Sequence, residues 1–193
     1  DFPNISAEFY AFDRNNQQIY DFQQGNLVLT ENGIERQITN ISCPQTEPLR
    51  ISSVLTLDIS SSMLGYRMQM ARNAARAWVQ AMDLNNSECA ITTFNDYNFF
   101  NIDFSQDEDE LNEAINKIGS YGGTSFNAGF IDSTAGALLV AERGKYKRII
   151  VFLTDGISQG DQAKIIQQAK SIQATVYSVI IGMGAPDILK NIS

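Results

Sequence analysis

Val54-Leu55-Thr56-Leu57-Asp58-Ile59-Ser60-Ser61-Ser62 is the stretch from which the fold of this chain is read. The first four residues have strand composition, and the run then breaks at an acid followed by hydroxyls. A helix is expected beyond the break, roughly over residues 66–82. Met68, Ala71, Ala75, Trp78 and Met82 recur there at helical spacing, which gives that helix one apolar face. A strand ending in polar residues and feeding an amphipathic helix is the opening half of a βαβ unit.

Working towards the C-terminus, the alternation continues. Cys89-Ala90-Ile91-Thr92-Thr93-Phe94 reads as a strand, and the tight Asn95-Asp96 turn leads to another over Phe99–Phe104. So short a link implies an antiparallel pair. Ser105-Gln106-Asp107-Glu108 has the form of a capping box opening a helix that carries Leu111, Ala114, Ile115 and Ile118. A Gly119–Gly123 loop precedes one helix over about 127–142, with Phe130, Ile131, Thr134, Leu138 and Leu139. Ile149-Ile150-Val151-Phe152-Leu153 is apolar throughout, as in a strand buried on both faces. A helix over about 161–173 (Ala163, Ile166, Ala169, Ile172), a strand over Val176–Ile181 and a short helix after Pro186 complete the series. The fold class is therefore α/β: a doubly wound, mostly parallel open sheet with one antiparallel edge strand.

Working towards the N-terminus, the style changes near residue 50. Residues 1–49 read as a β-rich N-terminal extension and residues 50–193 as the α/β domain. Ile5–Phe12 has strand composition, and Leu27-Val28-Leu29-Thr30 runs into Glu31-Asn32-Gly33-Ile34, where Asn-Gly is the strongest short hairpin signal. Pro44 and Pro48 break regular structure at the exit.

The 193 residues include 14 Lys+Arg and 22 Asp+Glu, a net charge of −8, with no histidine and two cysteines. The missing histidine excludes Ser-His-Asp and Cys-His catalysis and His-ligated metal sites; two cysteines cannot build a Cys₄ centre. The acidic balance argues against general nucleic-acid binding. The longest apolar run is five residues, too short to span a membrane, so no insertion by this chain is expected. The start at Asp1-Phe2-Pro3, without Met or a basic leader, reads as a mature or trimmed product. Cys43 and Cys89 are either two free thiols or one disulfide of an exported protein, and spacing does not decide between these.

Ligands of open α/β sheets bind at the carboxyl ends of the strands. Three loops expected at that edge carry Asp58, Ser60 and Ser62; Gly122-Gly123-Thr124-Ser125; and Thr154-Asp155-Gly156. Each alone has a plain structural reading as a cap, a helix start or a turn. Together they bring Asp58, Ser60, Ser62, Thr124 and Asp155 towards one point. These are all hard oxygen donors, two of them carboxylates, a set that suits Mg²⁺ or Mn²⁺ (or Ca²⁺) and suits zinc poorly. Hydroxyls add ligands without adding charge, which leaves the metal electrophilic.

Asp58-x-Ser60-x-Ser62, a distal Thr124 in Gly-Gly-Thr and a distal Asp155 in Thr-Asp-Gly resemble the metal-ion-dependent adhesion site of the von Willebrand factor type A (VWA) domains, in a bacterial secreted or cell-surface form. The resemblance covers residues 51 to about 192. It implies that Ser60, Ser62 and sometimes Thr124 touch the cation, that Asp58 and Asp155 act through water, and that a partner's carboxylate completes the octahedron. Ser61 stands where the family often has glycine. The resemblance also implies that one more strand and a long final helix of the family are missing, which leaves the last strand an edge.

The expected function is a non-enzymatic, divalent-cation-dependent protein-binding module. Its partner is a protein offering an Asp or Glu carboxylate, in an extracellular, cell-surface or periplasmic setting. The alternatives are a structural module with a merely stabilising metal site, or a Mg²⁺-dependent phosphatase-like enzyme. Against the enzyme, Ser60 stands where a phosphatase of that type needs a second acid. No phosphate-binding Gly-rich loop motif is present either. Tyr66, Tyr97, Phe99, Phe100 and Tyr121 are candidates to flank the site, and Trp78 is a core candidate.

Overall fold

Asn32 and Gly33 turn the chain back on itself, both with positive φ (51° and 77°), as a two-residue hairpin matched to strand twist requires. They join β1 (Leu29–Glu31) and β2 (Ile34–Arg36), which pair antiparallel with Glu31 opposite Ile34. Arg36 Nε donates to Glu31 Oε2 across the ribbon at 2.9 Å. This hairpin belongs to the first of two units in the chain, Asp1–Glu47, the second being Pro48–Ser193. The computed structural model describes residues 7, 9–14, 19, 23–42, 49–156, 158–182 and 184–193. Of the strand expected over 5–12, residues 5, 6 and 8 lie outside the described residues, and among the others Phe12 makes a single β-bridge.

The second unit is built on a five-stranded sheet of β3 (Ile51–Asp58), β4 (Glu88–Phe94), β5 (Asn98–Ser105), β6 (Lys147–Thr154) and β7 (Thr175–Ile180). The order is β5-β4-β3-β6-β7, parallel except for the β4–β5 pair. The α/β architecture, the mostly parallel sheet and the antiparallel edge strand are thus as the sequence predicts. β3, at the centre, is buried at every position except Ile51, so its polar residues Ser52, Ser53, Thr56 and Asp58 are buried along with Val54, Leu55 and Leu57.

Helices cover both faces. α1 (Tyr66–Ala81) and α2 (Glu108–Asn116) lie on one, and the cluster beneath them includes Leu55, Leu57, Ala71, Val79, Leu111 and Ile115. Val79, rather than Trp78, completes the buried face of α1; Trp78 is only partly buried and donates its Nε1 hydrogen to Ser53 Oγ at 2.9 Å. The cap of α2 also differs from the expected one. Asp107 is the N-cap, accepting from Asp109 and Glu110 N–H, because Ser105 is still held in β5.

The other face carries α3 (Phe126–Phe130), α4 (Ala137–Glu142), α5 (Gln162–Ser171) and α6 (Asp187–Ile192). The single helix expected over 127–142 is therefore two. Thr134 takes φ 92°, and Asn98 of β5 stitches the break: its Nδ2 donates to the carbonyls of Ala128 and Asp132, and its Oδ1 accepts from Ala135 N–H. A neighbouring strand thus satisfies backbone groups that a continuous helix would have paired internally. On α5, Ala169 is buried and Ile166 and Ile172 pack against the same cluster as expected, Ile165 joins them fully buried, and only Ala163 of the expected face is exposed.

Four aromatic rings anchor this face. Phe152 stacks on Phe130 (centroids 4.0 Å) and Phe94 (4.7 Å) and meets Phe126 edge-on (5.6 Å). Gly129 lets α3 approach them, since a Cβ there would lie 2.7 Å from Phe152 Cε2.

Glu88 sits at the opposite edge of the sheet from the strands' carboxyl ends. It is buried, and Oε1 accepts from Ser52 Oγ (2.8 Å) and Lys145 N–H (3.0 Å) while Lys145 Nζ lies 3.1 Å from Oε2. Burial raises its pKa, but the Lys145 and Ser52 hydrogen bonds and the lysine charge outweigh burial and hold it below the usual 4.5. A depressed folded-state pKa gives stability that is present above the unfolded value and is lost as pH falls through the folded one. Glu88→Gln is therefore expected to flatten the acid limb of a melting-temperature profile below about pH 4.5, the ordinary glutamate value. An unchanged acid limb would remove Glu88 from the account.

Cys89, at the start of β4, is a free, fully buried thiol whose burial pushes its pKa up to about 12. Cys43 lies outside the described residues.

Candidate metal centre

The carboxyl edge of the sheet gathers the ends of β3, β4 and β6. Ile59 N–H, just past β3, donates to Phe94 O at 2.8 Å, so the chain keeps its strand course as far as Ser60 before a 3₁₀ turn at Ser61–Met63. Asp58 is fully buried. Its Oδ1 accepts from Ser60 N–H at 2.8 Å, and its Oδ2 accepts from Thr154 Oγ1 at 2.6 Å. Thr154, the last residue of β6, escapes notice in the sequence as merely the neighbour of Asp155.

Ser60 Oγ and Ser62 Oγ lie 3.1 Å apart, so the alternate serines do share one side. Ser62 Oγ then donates to Asp155 Oδ1 at 2.8 Å. Asp58, Ser60, Ser62 and Asp155 thus form one connected cluster across 97 positions of sequence numbering. Thr124 stands beside it: a Cβ on Gly156 would lie 3.9 Å from both Thr124 Cγ2 and Asp58 Oδ2.

The loop bearing Thr124 is fastened from three sides. Tyr121 N–H donates to Ile59 O (2.6 Å), Ser61 N–H to Gly122 O (2.9 Å) and Ser125 N–H to Asn95 O (2.8 Å). Asn95 Nδ2 donates to Tyr121 O, and Asp96 Oδ2 accepts from Gly123 N–H. Gly122 has φ 83°, and a Cβ there would come within 2.6 Å of Asn95 Nδ2, so the position needs glycine twice over. Ser158 Oγ donates to Thr124 O at 2.8 Å from the loop after β6.

Arg67 also reaches this cluster, and sequence reading missed it. Its Nη1 lies 2.6 Å from Asp155 Oδ2 and 3.3 Å from Ser62 O. It is the one cation paired with either carboxylate among the described residues. A signal existed: a basic residue in the first turn of a helix opposes the macrodipole and asks for another reason.

Asp58 is 0% exposed and Asp155 5%. Burial raises the Asp58 pKa above 3.8 despite the bonds from Ser60 and Thr154 that lower it, and the nearby Asp155 charge raises it further. Two buried acids with three hydroxyls nearby are costly as anions unless positive charge faces them. One arginine meets only Asp155. Among the described residues no three Asp, Glu or Cys side chains form a cluster, so any ligand set here must draw on hydroxyls. The residues fit a hard divalent cation.

Of the flanking candidates, Tyr66, the first residue of α1, and the loop residues Tyr97 and Tyr121 are exposed, as is Leu64. Phe99 packs against Tyr121 (6.0 Å). Phe100 belongs elsewhere: it is paired with the Arg143 guanidinium, 5.2 Å from its ring, on β5. The acid run at 107–110 serves to cap and begin α2.

A doubly wound α/β domain with paired acids and hydroxyls at the carboxyl edge of its sheet defines a recognisable class of protein. The chain belongs to the von Willebrand factor type A domain family, whose model matches residues 54–193. Proximal thread matrix protein 1 from the mussel byssus is similar in fold, with a TM-score of 0.63 at 18% identity over 75% of this chain and 39% of that one. A further structure of that mussel protein has a zinc-occupied MIDAS motif. The conserved hypothetical protein BatB from Bacteroides thetaiotaomicron gives 0.58 at 22% identity, over 69% and 67% of the two chains. A von Willebrand factor type A protein from Catenulispora acidiphila gives 0.62 at 20%, over 75% and 36%. This chain thus spans about two fifths of the mussel protein, and at these identities the likeness is one of fold. No curated protein sequence matches it.

Proposed function

We propose that this domain is a divalent-cation-dependent protein-binding module whose metal site is formed by Asp58, Ser60, Ser62, Thr124 and Asp155. The observation that carries the reading is the connected cluster of Asp58, Ser60, Ser62 and Asp155 at the carboxyl edge of a VWA-family sheet. When bound, Mg²⁺ or Mn²⁺ supplies an electrophilic centre able to accept one oxygen of a partner's Asp or Glu. The chain's own residues do the rest. Ser60, Ser62 and Thr124 offer neutral oxygens; Asp58 and Asp155 fix the hydroxyls and supply the balancing charge. Exposed Leu64, Tyr66, Tyr97 and Tyr121 surround the site with apolar and aromatic surface suited to a protein partner.

The net charge of −8 repels acidic partners at long range, so recognition of a carboxylate depends on positive charge held locally. That logic gives an adhesion-type, non-enzymatic module, in an extracellular, cell-surface or periplasmic setting. No helix among the described residues is long and apolar enough to cross a membrane.

Calorimetric titration of the EDTA-stripped chain with Mn²⁺ tests this directly. One bound cation per chain and a cation-dependent rise in melting temperature are expected. Absence of both would sink the proposal.

A further inference from the structure

The cation that faces Asp155 within the fold is a side chain. Arg67 Nη1 sits 2.6 Å from Asp155 Oδ2, and the carboxylate's other oxygen accepts from Ser62 Oγ, itself 3.1 Å from Ser60 Oγ. Asp155 is fully buried at its side chain, whereas that of Arg67 is 46% exposed. The pair is therefore asymmetric: the acid cannot leave, and the guanidinium can swing towards water. Local helix physics does not account for an arginine here. It lies in the first turn of α1, at the positive end of the dipole, and Gly65 provides no side-chain cap. Across the guanidinium, Gly182 turns with φ 82° and would place a Cβ 3.6 Å from Arg67 Nε.

Resting on the metal-site reading above, we infer that Arg67 is a tethered competitor for the divalent cation. It neutralises Asp155 when no metal is bound and sets the threshold at which metal binds. Two physical consequences follow from one contact. A positive charge one hydrogen bond from the ligand set repels an incoming dication, which weakens its binding. The same charge offsets the burial of Asp155, which stabilises the metal-free fold. A domain built this way keeps its shape without metal and fills only above a set cation concentration. A residue acting only in packing would not link these two effects.

The test uses the full chain, with Mn²⁺ as probe, in wild type, Arg67→Met and Arg67→Lys. Mn²⁺ affinity is read by calorimetry, and melting temperature is read in EDTA and in saturating Mn²⁺. Arg67→Met, similar in length and uncharged, is expected to bind Mn²⁺ about tenfold more tightly, the scale of one unit charge on a nearby dication in partly solvated surroundings. It should melt below wild type in EDTA and recover in Mn²⁺, because removing one partner leaves a buried carboxylate unpaired. Arg67→Lys keeps the charge and should stay near wild type in both readouts. Equal or weaker Mn²⁺ binding by Arg67→Met overturns the inference while leaving the metal site standing. A lowered melting temperature that Mn²⁺ does not restore does the same. If wild type and Arg67→Met both fail to bind Mn²⁺, the metal-site reading itself falls, and the inference with it.

Discussion

Asp58→Ala is expected to lower Mn²⁺ affinity at least about a hundredfold, the upper end for groups that orient metal ligands. Asp58 holds Ser60 through its backbone N–H and Thr154 through its hydroxyl, so alanine frees both and removes a charge. It also leaves those donors buried without an acceptor, a cost of roughly 1–3 kcal/mol each. Asp58→Asn separates the two effects. The amide keeps an acceptor oxygen and the shape but carries no charge, so in EDTA it should melt at or above wild type, a buried anion having been removed. In Mn²⁺ the order should reverse, wild type gaining stability and the amide gaining little. If Asp58→Asn bound Mn²⁺ as wild type does, the charge of Asp58 would have no part in the site.

Phe152→Ala should be the most damaging change in the core, costing about 3–5 kcal/mol by urea denaturation. Phe152 is fully buried in β6 and touches the rings of Phe94, Phe126 and Phe130, which belong to β4 and α3. Those elements carry or brace the loops of Asn95, Thr124 and Asp155. Nothing nearby can collapse into the space without moving α3, because Gly129 already brings that helix into contact. Tyr177→Ala, on the half-exposed outer surface of β7, is the control and should change stability by no more than about 0.5 kcal/mol. A cost below about 2 kcal/mol for Phe152→Ala would show that the ring cluster relaxes far more than buried aromatic clusters do.

Much of this was legible without coordinates. Each strand of the second unit stands within a few residues of its expected position, and β6 was the plainest, because a strand buried on both faces needs a continuous apolar run that little else produces. The Asn32-Gly33 turn was equally plain, since both residues tolerate positive φ. The misread places are those where a distant side chain supplies what the local chain lacks. Asn98, some 30 residues upstream, breaks the 127–142 helix; β5 holds Ser105 and passes the cap of α2 to Asp107. Periodicity reports an element's own preferences and is blind to a donor arriving from another strand.

The site divides the same way. The sequence by itself determined which oxygens were on offer: with no histidine, the side chains expected at the sheet's carboxyl edge were the carboxylates and hydroxyls of Asp58, Ser60, Ser62, Thr124 and Asp155. Only the tertiary structure decided how they are joined. It gave Asp58 to Ser60 and Thr154, gave Ser62 to Asp155, and brought Arg67 to the buried acid. The physical reason is that burial makes a lone carboxylate expensive, so the fold must find it partners wherever in the chain they lie.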